Sequence, residues 1–202
     1  YQQGDDFIPG GGFEQVAGGE KFRDISTAAG DNIPNGALNA ADRTVIGNGQ
    51  PKFIWGLNND FSFKGFDLNI FFQASQGNTI LSYSLLEIET LSGSNNSTTI
   101  ALDRWTPQNT DTNVPARTLQ RSQRVSTRWL FDGSYVRLKN ISLGYNLPTS
   151  MLQKLSMSRA RLYVSAQNIL TFTDYRGFDP EVSYNSGGGA ASNRNLGLDY
   201  AS

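Results

Sequence analysis

Residues 53–75 read FIWGLNNDFSFKGFDLNIFFQAS, and their alternation restricts the fold more than any other stretch of the chain. Up to Phe63 the apolar side chains hold odd positions, Phe53, Trp55, Leu57, Phe61 and Phe63, and Ile54 is the one large apolar residue in the even set from 54 to 62. After Lys64-Gly65 the set moves to even positions, Phe66, Leu68, Ile70, Phe72 and Ala74. Successive side chains of a strand point to opposite faces, so a period of two on both arms predicts two strands, and a two-residue turn accounts for the change of parity. That turn sets Phe63 opposite Phe66, Phe61 opposite Leu68, Asn59 opposite Ile70 and Leu57 opposite Phe72 on one face. A one-residue slip would carry Asp67 and Asn69 to the apolar side.

A second strand pair follows at 133–173. GSYVRLKNISLGYNLP also alternates, yet Val136 and Leu138 sit on even positions while Ile141, Leu143, Tyr145 and Leu147 sit on odd ones. Either a β-bulge near Leu138–Asn140 exchanges the faces and keeps Arg137 and Lys139 away from the apolar side, or the upper half of the strand stands above a membrane. The partner, 160–172, has Ala160, Leu162, Val164, Ala166, Leu170 and Phe172 on one face and Arg161, Tyr163, Ser165, Gln167 and Thr171 on the other, broken at Asn168 and Ile169. Pro148 stops the first strand, and Met151, Leu152 and Leu155 in the short connection are spaced for one helical turn.

The remaining connections are long: 1–52, 76–132 and a Gly/Asn/Ser-rich stretch at 174–202. Structureless connections beyond about 12–15 residues are uncommon in soluble domains. In an outer-membrane barrel, short turns on one side and long extracellular loops on the other are the rule. Strands of roughly 10–14 residues with aromatic ends match a tilted crossing of a bilayer. The fold expected is therefore all-β, an antiparallel transmembrane β-barrel segment of four strands: loop at 1–52, hairpin at 53–75, loop at 76–132, strand pair at 133–173 and loop at 174–202. Four strands cannot close a barrel, so the expected object is an open sheet with two unpaired edges and with Phe53, Trp55, Phe61, Phe72, Leu162 and Phe172 exposed on its apolar face.

Composition removes several functions. The chain has no Cys and no His, which takes away the commonest zinc ligands and the commonest general base. A net charge of −1 without a basic run gives no footprint for nucleic acid. Glu87 and Glu89 are the acids that invite a glycosidase reading; two residues apart on a helix predicted within 79–91, they point to different sides. No catalytic residue is expected. One metal motif is present in degenerate form in DNIPNGALNAAD: Asp31, Asn35, Asn39 and Asp42 fill positions one, five, nine and twelve of a calcium loop, with Gly36 at six, but Ile33 stands at position three where an oxygen ligand belongs.

Four motifs in order, DRTVIGNGQPKFIWGLNNDFSFKGFDLNIFFQ, RWTPQNTDTNVPAR, GSYVRLKNISLGYNLP and RARLYVSAQNILTFTDYRGFDPEV, resemble the C-terminal barrel region of the SusC/RagA family of TonB-dependent outer-membrane transporters. The resemblance implies a barrel of about 22 strands with an N-terminal plug. It further implies a SusD-like lid lipoprotein, power supplied through the TonB complex, and import of oligosaccharides or peptides across the outer membrane of a Gram-negative bacterium. The plug, the TonB-contacting segment and a closing strand are expected outside these residues. In that frame Trp105 and Trp129 fall in extracellular loops, where each either contacts substrate or lid or packs inside its own loop, and the apolar strand faces meet outer-membrane lipid. The competing readings are an extracellular carbohydrate-binding or adhesive β-sandwich, which also alternates, and an outer-membrane enzyme, whose hydrolase form needs the His this chain lacks.

Overall fold

In the computed structural model the described residues are 1–11, 15–28, 31–92, 96–117, 125–154 and 156–182, with the backbone of 198 and 199. The hairpin forms as the alternation requires. Strand β1 (Phe53–Phe63) pairs with β2 (Phe66–Gln76) in the expected register, Leu57 opposite Phe72 and Phe63 opposite Phe66. Lys64 and Gly65 both take positive φ, 47° and 88°, the conformation of the tight turns whose twist suits a hairpin.

Two short strands, β3 (Thr79–Ser82) and β4 (Leu130–Asp132), precede the long β5 (Tyr135–Asn146), and β6 (Arg161–Thr173) follows it. The four long strands make one antiparallel sheet in the order β1-β2-β5-β6, which leaves β1 and β6 as edges among the described residues. Pro148 ends the ladder after the Leu147 N–H bonds the Ala160 carbonyl at 3.0 Å, and the helical turn of the connection is α2 (Thr149–Lys154). It holds Met151 and buried Leu152. Leu155, the third residue of that expectation, lies outside the described residues.

The change of parity has a cumulative origin. Along the apolar face β2 advances two residues, from Ile70 to Phe72, while the partnered residues advance three in β5, from Ile141 to Leu138, and four in β6, from Ala166 to Leu170. One extra residue in β5 turns its alternation over; two in β6 restore it. Lys139 is the unpaired residue of β5, and the irregular pair in β6 is Asn168 and Ile169, with Asn168 at φ 51°, a left-handed conformation that Asn tolerates. The apolar set thus runs across all four strands, with Asn59 as the polar residue among them in β1.

Five of the six residues expected to be exposed on that face are so: Phe53, Trp55, Phe61, Leu162 and Phe172. Phe72 is half-buried instead, because it lies in an inner strand with Leu57 on one side and Leu138 on the other.

The sheet and its neighbouring turns, the described residues of 48–80 and 131–182, form one compact unit; the described residues of 1–47 and 81–130 belong to a second. The two long connections, separate in sequence, are thus parts of one body. The Ala116 N–H bonds the Gly18 carbonyl at 2.8 Å, and its interior includes Leu38, Leu85, Leu86, Val114 and Trp129. The helix expected within 79–91 is shorter: α1 spans Tyr83–Glu89, the preceding residues are strand, and the Ser82 hydroxyl caps it by accepting the Leu85 N–H. β-Branched Thr79 and Ile80 favour the extended form, and Ser82 begins the helix after them.

Candidate functional site: the polar face of the sheet

Opposite the apolar face, side chains of all four long strands form three hydrogen-bonded groups. In the first, the Asn69 amide donates to Asn58 at 2.8 Å and to Asp60 at 2.7 Å, Asn58 donates to Asp60 at 2.6 Å, and Asn140 donates to Asn69 at 3.0 Å. In the second, Asp67 accepts from Arg161 and from Asn146. Gly144 stands between them, where a Cβ would come within 2.6 Å of both the Arg161 guanidinium and the Asp67 carboxylate. Polar groups thus satisfy one another across strands, which a wet wall accommodates and hydrocarbon does not.

The third group contains the residues that the change of parity protects. Arg137 is 5% exposed, and its guanidinium donates to the Thr171 hydroxyl at 2.9 Å, to Asp179 at 2.5 Å and to Glu181 at 2.9 Å. Lys139 reaches the same Glu181 oxygen at 2.6 Å. Burial pushes the Asp179 carboxyl up, but the Arg137 guanidinium and the Glu181 N–H outweigh it and hold Asp179 below the usual carboxylate range. Asp179 and Glu181 escaped the sequence reading, since neither belongs to an alternating segment. The signal available was two cations in one strand with no acid beside them.

The calcium-like residues serve the backbone. The Asp31 carboxylate accepts from the N–H groups of Thr27, Ala28 and Ile33, and its bonds, that from the Thr27 hydroxyl first, bring its pKa down to about 2. Asp42 accepts from Ile25, Ser26 and Asn39 N–H groups and is likewise lowered, chiefly by the Ile25 bond. Asn39 caps a single 3-10 turn by accepting the Ala41 N–H, and Asn35 accepts the Ala37 N–H across the turn at Gly36. The side-chain oxygens a cation needs are already hydrogen-bonded to the chain. Among the described residues no group of three or more Asp or Glu side chains comes together.

Trp105 and Trp129 differ. Trp105 is half-buried, its indole N–H donates to Gln2 at 2.8 Å, its ring lies against Gly18, and it lines a cleft of about 1490 Å³ with Phe22, Arg23, Asp42 and Arg43. Trp129 is 1% exposed, with the Arg128 guanidinium 5.2 Å from its ring centre. Of the two, Trp105 is the one a ligand can reach.

The sheet, two-faced and open at both edges, is that of a transmembrane β-barrel wall, and comparison with known proteins gives it a family. No family model matches the chain. The TonB-dependent receptor P3 of Formosa agariphila is 51% identical over 185 residues, 92% of this chain and 18% of the relative. The TonB-dependent receptor SusC of Bacteroides thetaiotaomicron is 26% identical over 81% of this chain and 16% of its own length. Among solved structures, the RagAB peptide transporter matches with a TM-score of 0.63 and 30% identity, over 74% of this chain and 17% of that one. The chain belongs to the SusC/RagA-like TonB-dependent transporters, as a β-barrel segment. It spans less than a fifth of the length of these relatives.

Proposed function

We propose that these residues are part of the wall and loops of an outer-membrane transporter that imports glycan oligomers or peptides, capped by a SusD-like lipoprotein and energised through TonB by parts of the protein beyond this segment. The observation that carries the reading is the division of one sheet into an apolar face with exposed Phe53, Phe61, Leu162 and Phe172 and a polar face with three hydrogen-bonded groups. Lipid covers the first face and the aqueous lumen wets the second. A β-sandwich module would bury those aromatics in a closed core. Within the loop unit, the Trp105 cleft is the surface proposed for contact with substrate or lid.

The test is transport by the complete protein. A strain lacking the gene is grown on a panel of glycan oligomers and peptides as sole nutrient, with uptake of labelled oligomers as the readout. Loss of growth and uptake for one cargo class, restored by the gene, supports the proposal. Unchanged uptake across the panel, with the protein found soluble and secreted, overturns it.

A further inference from the structure

The register shift in β5 does more than keep two charges off the apolar face. It leaves Arg137 paired on the polar side and Lys139 unpaired in the ladder, and both side chains converge on Glu181. The segment they meet is 174–181, which follows β6 and doubles back over the polar face. It is fixed at two points. At its start Tyr175 is buried, with its ring 5.9 Å from that of Phe131 in an edge-on contact, and its N–H bonds the Thr173 hydroxyl at 3.1 Å. At its end Asp179 and Glu181 carry the ion pairs, and the Glu181 N–H bonds the Asp179 carboxylate at 2.8 Å. Between the two anchors Phe178 is held out, 88% exposed.

We infer that Arg137, with Lys139 beside it, is a positioning residue: the bulge of β5 places this pair as a clasp that holds segment 174–181 against the polar face and so presents Phe178 from it. With the segment in place Arg137 is 5% exposed and both carboxylates bond its guanidinium, so release of the segment breaks two charge-assisted hydrogen bonds at once. Thr171 completes the site from β6 by accepting the Arg137 Nε–H. A clasp of this kind makes the segment part of the wall instead of a free loop.

The inference does not depend on which cargo the protein carries, and its test does not depend on transport. Amide hydrogen exchange is followed in the complete protein in detergent micelles, for wild type, Arg137→Met, Arg137→Lys and the double variant Asp179→Asn/Glu181→Gln. The double variant alters only the segment, so it reports even if Arg137→Met fails to assemble. The clasp predicts that amides 175–181 of the double variant exchange at least about tenfold faster than in wild type while those of β5 and β6 keep their protection. It predicts that Arg137→Lys, which keeps the charge, recovers part of the protection that Arg137→Met loses. Amides 175–181 unprotected in wild type, or equally protected in the double variant, would overturn it. Equal exchange in Arg137→Lys and Arg137→Met would also overturn it.

Discussion

Leu138 stands opposite Phe72 across the β2–β5 ladder, while two residues further on Asn140 pairs with Phe71, its immediate neighbour. That mismatch of one residue decides which side of the sheet receives Arg137. Deleting Lys139 removes the extra residue and gives β5 a single parity, in which Arg137 and Ile141 are three residues apart and stay on opposite faces. An arginine on the lipid face costs about 2–4 kcal/mol at the bilayer midplane and less near the interface. The deletion avoids that cost, so the expected outcome is assembly of the complete barrel, seen as a retained heat-modifiable band on electrophoresis and a urea midpoint near that of wild type on refolding into micelles; loss of the band would contradict Lys139 as the extra residue. Substitution of Lys139 by Met, which keeps the residue count, should leave assembly intact.

The ion pair between Asp67 and Arg161 joins β2 to the edge strand β6 over Gly144, and both side chains keep substantial solvent contact. Exposed pairs contribute little, so Asp67→Asn is expected to cost no more than about 1 kcal/mol of barrel stability in a urea titration. Gly144→Val should cost more, because its side chain would push into both partners.

The bonds that Asp31 accepts carry a pH dependence whose sign follows from its lowered carboxyl. The folded Asp31 carboxyl, at about 2, lies below its ordinary value of 3.8, held there first by the Thr27 hydroxyl and then by backbone N–H groups. A depressed carboxyl stabilises the folded form fully above its unfolded pKa and loses that contribution as pH falls toward the folded value. Protection of the Ala28 and Ile33 amides should hold at pH 5 and fade between about pH 4 and pH 2. Asp31→Asn should remove that acid step, and chelation of calcium should leave it in place.

Trp129 fills the interior of the loop unit, and Trp105 packs at its surface. Trp129→Ala should destabilise that unit by about 3–5 kcal/mol, read as local loss of amide protection in α1 and residues 127–130. Trp105→Phe gives up the bond to Gln2 and is expected to cost about 1 kcal/mol, with its larger effect on ligand or lid binding if the cleft is the contact surface.

Much of the sheet was legible because its determinants are local. The Lys64-Gly65 turn and the parity on both sides of it admit one register, and Leu57 meets Phe72 as a consequence. The break near Lys139 was legible for the same reason, as a conflict between alternation and the position of two cations. Phe72 was misjudged because exposure depends on strand order, which alternation does not contain. The ends of α1 were misjudged because Ile80 and Leu81 fit a helical spacing as well as a strand. The clasp was the least legible part: Asp179 and Glu181 lie 42 residues beyond their partners, in a stretch without periodicity. The same holds for the union of 1–47 with 81–130, which rests on bonds such as that from Ala116 to Gly18.

The central claim is that one face of this sheet meets lipid and the other meets water, with the phase of β5 turning over at Lys139. This segment contains no Cys, so within it single cysteines report without a native background. Spin labels are attached one at a time at positions 136–145 of β5, and at Phe61→Cys and Asp60→Cys of β1 as references, in the complete protein reconstituted in lipid vesicles with any cysteines elsewhere replaced. The account predicts that collisions with oxygen, which partitions into lipid, peak at 136, 138, 141, 143 and 145 and at Phe61→Cys. Collisions with a water-soluble nickel complex should peak at 140, 142 and 144 and at Asp60→Cys, while position 137, covered by segment 174–181, is low for both reagents. A strict two-residue alternation through 138–141 without a change of phase, or equal access of both reagents at all positions, would contradict it.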